Sequence, residues 1–146
     1  MSYKTPVDAV LDHLEANGLV TAGSVFTPSM PDWSELSPAL RIGVVAAEVN
    51  ISSNPKWLMD TVTVAFNVKG KTRSDIQAAK AKAWEIYNFL LGIDNFQIEQ
   101  NLYLRFLSDS APRLNAVGAN TDPFFNFVFS FMRQGLVPEG NRVPLP

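Results

Sequence analysis

The sequence predicts an α+β fold: a mainly antiparallel sheet of about four strands packed against two helices, in the order α-β-β-α-β-β. Three observations carry this expectation. Thr61 to Val68 alternates like a half-buried strand and passes through Lys69-Gly70-Lys71-Thr72-Arg73 into a helical pattern that runs to Gly92. Val7, Val10, Leu11 and Leu14 open the chain at the i, i+3, i+4, i+7 spacing of a buried helical stripe. Phe125, Phe127, Phe129 and Phe131 stand in register near its end. A chain of 146 residues has the size of one domain, and such a chain buries roughly 70% of its unfolded surface. Hydrophobic residues at 47% and charged residues at 18% suit a packed domain and exclude a disordered one.

The elements are justified in chain order. Thr5 is placed to cap the first helix, Pro6 sits where its missing N–H does no harm, Asp8 lies near the positive helix end, and Gly18 ends the helix. Gly23 to Pro38 holds three prolines and Trp33, so it reads as a long ordered loop. Leu40 to Ile51 reads as a strand, with Leu40, Ile42, Val44 and Ala46 on one face and Arg41, Gly43, Val45 and Ala47 on the other. Gly43 weakens that pattern. Ser52-Ser53-Asn54-Pro55 is turn chemistry, which makes this strand and the next, from about Trp57 to Val68, an antiparallel hairpin. Val62, Val64, Phe66 and Val68 then face the core.

Ser74 and Gln77 have capping-box spacing at the start of the second helix, whose buried side is Ile76, Ala79, Ala83, Ile86, Tyr87 and Leu90. Phe96, Ile98, Leu102, Leu104 and Phe106 keep one parity, broken by Gln100, and read as one long strand with a wet face. Ser108 to Pro123 reads as a second loop, and Phe124 to Met132 as a final strand that pairs with the one before it. Residues 1–133 form a single domain on this reading. From Gln134 to Pro146, Gly135, Pro138, Gly140, Pro144 and Pro146 favour an extended C-terminal arm.

Little in the chain suggests catalysis. Gly70-Lys71-Thr72 lies between a strand and a helix, as the last residues of a phosphate-binding loop do, but the glycine that loop requires five residues earlier is replaced by Ala65. A plain basic turn is the better reading. His13 is the only histidine and reads as a surface helix position, which leaves a serine nucleophile without a base. Absent cysteines exclude disulfides and thiolate metal sites. Asp32, Glu35, Glu48, Asp60, Glu85, Asp94 and Glu99 read as solvated surface rather than a carboxylate pair. The phenylalanine row reads as core in preference to a ligand pocket. A net charge of −2 gives no general attraction to nucleic acid, and the small cluster Lys69, Lys71 and Arg73 suits a protein partner better. Because Met1-Ser2-Tyr3-Lys4 passes directly into an amphipathic pattern, neither a signal peptide nor a membrane span is expected.

The helix from Pro6 to Asn17, the strand Thr61-Val62-Thr63-Val64-Ala65-Phe66-Asn67-Val68, the helix from Ser74 to Leu91 and the closing strand pair ending in Phe131-Met132-Arg133 together resemble the tail terminator family of long-tailed bacteriophages. The related minor capsid and tail completion proteins share the resemblance, which covers most of the chain and rests on element order and polarity. It implies a structural virion subunit, with no enzymatic activity and no cofactor, that forms a six-membered ring on the finished tail tube. Such a ring stops polymerisation and offers the head its docking surface. Its partners would be further copies of itself, the tail tube protein and the head–tail connector or neck protein. Its place would be the head-proximal end of the tail, after assembly in the host cytoplasm.

On that reading, ring neighbours would pair Arg73, Lys80 or Arg105 with Asp75, Asp94 or Asp109. The loops around Trp33 and Arg113 would meet tube or head partners, and the arm after Gln134 would lie on an adjacent subunit. Alternatives within the same machine are a head completion, neck or tail tube protein. From another class, a small-molecule binding domain or enzyme would use the phenylalanine face.

Overall fold

A computed structural model of the protein describes residues 5–54, 59–98, 101–103, 105–115 and 123–135. Within them the fold is α+β, with two helices packed on one face of a mixed sheet. Helix α1 spans Pro6–Ala16 and α2 spans Ile76–Leu91. The strands are β1 (Val25–Phe26), β2 (Ile42–Asn54), β3 (Met59–Gly70), β4 (Phe96–Ile98), β5 (Asn101–Tyr103), β6 (Leu107–Asn115) and β7 (Phe124–Gly135). The order across the sheet is β1-β2-β3-β7-β5-β4, and β6 pairs with β7 beside β5. All pairings are antiparallel except that of β1 with β2.

The central hairpin forms as its alternation predicts. Ile42 lies opposite Gly70 and Asn54 opposite Met59, and Val62, Val64, Phe66 and Val68 are all fully buried. The strand continues through Ser52, Ser53 and Asn54, whose residue types predict a turn. The expected start at Trp57 and the turn residue Pro55 lie outside the described residues. On β7, Phe125, Phe127, Phe129 and Phe131 face the same core, with Phe66 and Phe127 stacked at 4.9 Å and 3°. Tyr87 of α2 meets Phe127 edge-on at 6.0 Å. Buried in this way, the phenylalanine row does not line an open pocket.

Both helices follow the expected stripes. Val7, Val10, Leu11 and Leu14 of α1 are buried, with Thr5 Oγ1 accepting from the Asp8 N–H at 3.3 Å and Gly18 in the left-handed region at φ +75°. Ala79, Ala83, Ile86 and Leu90 of α2 are buried, with Ile76 and Tyr87 packed against them. The start of α2 differs from expectation. Arg73–Asp75 forms a single 3-10 turn, and the cap is made by Thr72 and Asp75, not by Ser74 and Gln77. Aspartate three residues on reaches the Thr72 N–H at 3.0 Å with a short, acceptor-only side chain.

Three expectations give way elsewhere. The stretch from Phe96 to Phe106 is two short strands, β4 and β5, paired antiparallel with Ile98 opposite Asn101. Glu99, Gln100 and Leu104 lie outside the described residues. Ser108 to Asn115, expected in a loop, belongs to strand β6, while 116–122 lie outside the described residues. The Gly23 to Pro38 segment is largely connection, but Val25 and Phe26 pair parallel with Val44 and Val45. The chain order is therefore α-β-β-β-α-β-β-β-β, with four short or irregular strands added to the core ones. β7 runs to Gly135, so Gln134 and Gly135 are strand, and 136–146 of the expected arm lie outside the described residues.

Candidate functional site

The sheet has two ends that treat their edges differently. At the end holding Ile42, Gly70 and Phe124, the outer side of β2 is covered by β1 at Val44 and Val45. There the connection after β1 folds over the strand. A Cβ on Gly43 would stand 2.6 Å from Met30 Sδ and 3.7 Å from the Phe26 ring, so the glycine makes room for this cover. On the opposite flank, β6 is irregular: its register on β7 shifts between Ser108 and Ser110 and again between Ser110 and Arg113. It carries buried Pro112 within the second shift. Bulges and proline are the devices that keep an edge from recruiting a further strand.

At the other end β2 has no such cover among the described residues. Beyond Val45, β2 pairs on one side with β3 and with no other strand among the described residues. Alternate residues of an antiparallel edge strand point their N–H and C=O outward, so from Ala46 to Asn54 a row of outward backbone groups faces no strand among the described residues. A bulge at Val49, between Glu48 and Asn50, interrupts the ladder and leaves Val49 60% and Ile51 46% exposed. The charge on this stretch is Glu48, and its Oε1 accepts the Val7 N–H at 3.0 Å, which ties α1 to the strand.

The residues expected to act at interfaces are scattered over this frame. Arg73 is exposed and Asp75 half-buried in the 3-10 turn before α2; Lys80 is exposed on α2. Asp75 already has partners: Thr72 donates to it, and Arg41 lies 3.1 Å from Oδ2. The Thr72 hydroxyl chiefly, helped by the Thr72 N–H and Arg41, holds its carboxyl below the ordinary value against the opposing effect of desolvation. The same carboxylate fills the backbone donor that a phosphate would need. Gly70 is closely packed: a Cβ there would stand 3.0 Å from the Asp75 backbone, which would have to shift by a few tenths of an ångström. Gly70-Lys71-Thr72 is thus a capped turn closed by its own anion.

Asp94 and Arg105 are exposed on adjacent segments joined by the Phe106 N–H and the Ile93 carbonyl at 3.4 Å. Asp109 and Arg113 lie on β6. Asp109 accepts from Ser130 Oγ at 2.5 Å, and Ser130 in turn lies 3.0 Å from Thr63 Oγ1 across β3 and β7. Arg113 is exposed on the row of Asn126, which donates to Asn67 at 2.8 Å. Trp33 is half-buried in a 3-10 turn of the β1–β2 connection. The fold brings Asp75 together with Arg41, which has no neighbour in sequence to announce it.

His13 is half-buried between the helices, 5.7 Å from Phe89, rather than free on the surface, and burial lowers its pKa. A cleft of about 200 Å³ beside Leu19, Val20 and Ile42 holds Lys82, whose ammonium donates to the Leu19 carbonyl at 2.8 Å and lies 3.5 Å from Glu85. It falls below the roughly 300 Å³ at which small-molecule sites begin. Among the described residues, no group of three or more acidic or histidine side chains is placed to hold a metal ion, and no helix is long and apolar enough to cross a membrane.

Sequence reasoning passed over Val49, Ile51, Leu107 and Leu114, all about half exposed on the two edge strands. A signal existed for the first two: after Ala46 the apolar residues change from even to odd positions. In comparisons with known proteins, the chain matches no protein-family model and no curated protein.

Proposed function

We propose that this protein is a structural subunit that works by assembly: a tail-terminator-like virion protein of a long-tailed bacteriophage that rings the end of the tail tube. In this role it stops growth of the tube and gives the head a surface to dock on. The β2 edge beyond Val45, which no strand covers among the described residues, is the observation that carries the reading. An uncovered edge with exposed valine and isoleucine is an aggregation hazard unless a partner meets it, and a closed ring consumes such edges. Asp75 is engaged in a cap and Asp109 in a bond between strands, an arrangement suited to holding shape.

The mechanism is selective binding without bond chemistry. One side of the ring would match the last ring of the tube, the other would not, and growth would end for want of a repeating surface. Electron microscopy of particles from a virus lacking this gene tests the reading. The expected outcome is overlong or irregular tails beside unjoined heads. Normal-length free tails would point to a neck adaptor, and intact virions would sink the assembly role.

A further inference from the structure

Asn17-Gly18 is the chain's one Asn-Gly pair; every other asparagine precedes a residue that carries a side chain. The pair forms the end of α1, and both residues are exposed. The Gly18 N–H donates to the Glu15 carbonyl at 3.0 Å and the Leu19 N–H to the Leu14 carbonyl at 3.0 Å, the two nested bonds of a Schellman turn. Gly18 closes that turn at φ +75°, where a side chain would be strained, and nothing lies within 4 Å of the Cβ it lacks. Asn17 Nδ2 donates to the His13 carbonyl at 2.8 Å, the same oxygen that accepts the Asn17 N–H at 3.2 Å.

The glycine that gives the turn its shape also makes it chemically labile. With no Cβ in the way, the Gly18 nitrogen can attack the Asn17 side-chain carbonyl carbon. A nitrogen–carbon bond forms, the bond from Cγ to Nδ2 breaks, and Nδ2 leaves as ammonia with the proton given up by the Gly18 nitrogen. Water then opens the cyclic imide. Cleavage at Cγ gives aspartate, and cleavage at the backbone carbonyl gives isoaspartate. One water enters and one ammonia departs, with no oxidation or reduction. In the closed turn neither reactant is free, because Glu15 holds the Gly18 N–H and His13 holds Nδ2. Independently of the ring reading, we propose that Asn17 is a modification site whose conversion by water to aspartate and isoaspartate is gated by opening of this turn. Neither product recloses it. The Nδ2 donor is replaced by a carboxylate at the negative end of α1, two residues from Glu15. Isoaspartate also lengthens the backbone by one carbon between Leu14 and Leu19. The change reaches the second helix, since the Leu19 carbonyl accepts from Lys82 of α2 at 2.8 Å.

The full-length protein is incubated in mildly alkaline buffer, folded and in concentrated urea, and the peptide holding residue 17 is followed by mass spectrometry. Conversion is expected first at Asn17, roughly tenfold or more slower in the folded protein than in the unfolded chain, because it passes through a local opening. The folded rate should rise gently at urea concentrations below the unfolding transition. Asn17→Asp, checked for folding by thermal melting, should exchange the Gly18 and Leu19 amide hydrogens several-fold faster than the unsubstituted protein, with those of β3 and β7 unchanged. Equal rates in the folded and unfolded chains would overturn the gate, as would a folded rate that tracks the globally unfolded fraction alone. No conversion in the unfolded chain would overturn the site itself, and unchanged exchange at Gly18 and Leu19 would overturn its consequence for α1.

Discussion

The end of the sheet at Gly43 and Phe124 and the end at Ile51 and Arg133 share the same core but meet solvent in opposite ways. At the first, β1, Met30 and the kinked, proline-bearing β6 close both flanks. At the second, an ion pair between Asp60 and Arg133 pins β3 to β7, yet among the described residues no strand pairs with the outer side of β2. Nothing about folding alone requires Val49 and Ile51 to remain in water.

The comparison can be broken first at the shared core. Phe127→Ala removes a ring stacked on Phe66 and met by Tyr87, and it should cost about 3–5 kcal/mol by denaturant unfolding. Both ends should lose hydrogen-exchange protection together; loss confined to one end would mean that they fold as separate units. At the closed end, Gly43→Ala forces Met30 aside and should cost about 1–3 kcal/mol. Met30→Ala in the same chain should recover part of that loss, and an unchanged Gly43→Ala midpoint would show that the cover is loose.

Smaller effects are expected where the helices meet. Burial keeps His13 neutral in the folded protein at pH values where the unfolded chain binds a proton. Stability should therefore be complete above the ordinary value of 6.5, decline as pH falls from there toward the lowered folded value, and change no further from this group below it. His13→Gln should flatten that slope; a slope that survives belongs to another group. At the bare end, Val49→Lys should leave the subunit's stability within about 0.5 kcal/mol, as surface changes do, while reducing self-association measured by sedimentation. A large loss of stability would place Val49 in the subunit's own packing.

How legible each element is in the sequence depends on how it is stabilised. β3, β7 and both helices bury one face against a common core, so period and parity mark Val62 to Val68, Phe125 to Phe131, and the stripes of α1 and α2. β6 is held through two register shifts and contains Ser108, Asp109, Ser110 and Pro112, so no alternation survives to be read. The division of β4 from β5 is masked because Phe96 and Phe106 share parity across a reversal of direction. Which edge stays uncovered depends on where β1 and Met30 land, and local sequence does not encode that. The eight interface residues drawn from polarity include Asp75 and Asp109, whose partners lie within the chain, while the exposed apolar flanks escape notice because single apolar residues on a surface are ordinary.

The bulge at Val49 also makes β2 unequal in its tolerance of lost residues. Thr63 and Val64 are consecutive on β3, but their partners Asn50 and Glu48 are not. Deleting Val49 would leave a ladder in which every remaining side chain keeps its face. Deleting Thr63, where no spare residue exists, would turn the rest of β3 inside out. A one-codon deletion at 49 is thus a change of sequence length that this sheet can absorb, and the bulge marks where homologous chains can differ by one residue without differing in fold.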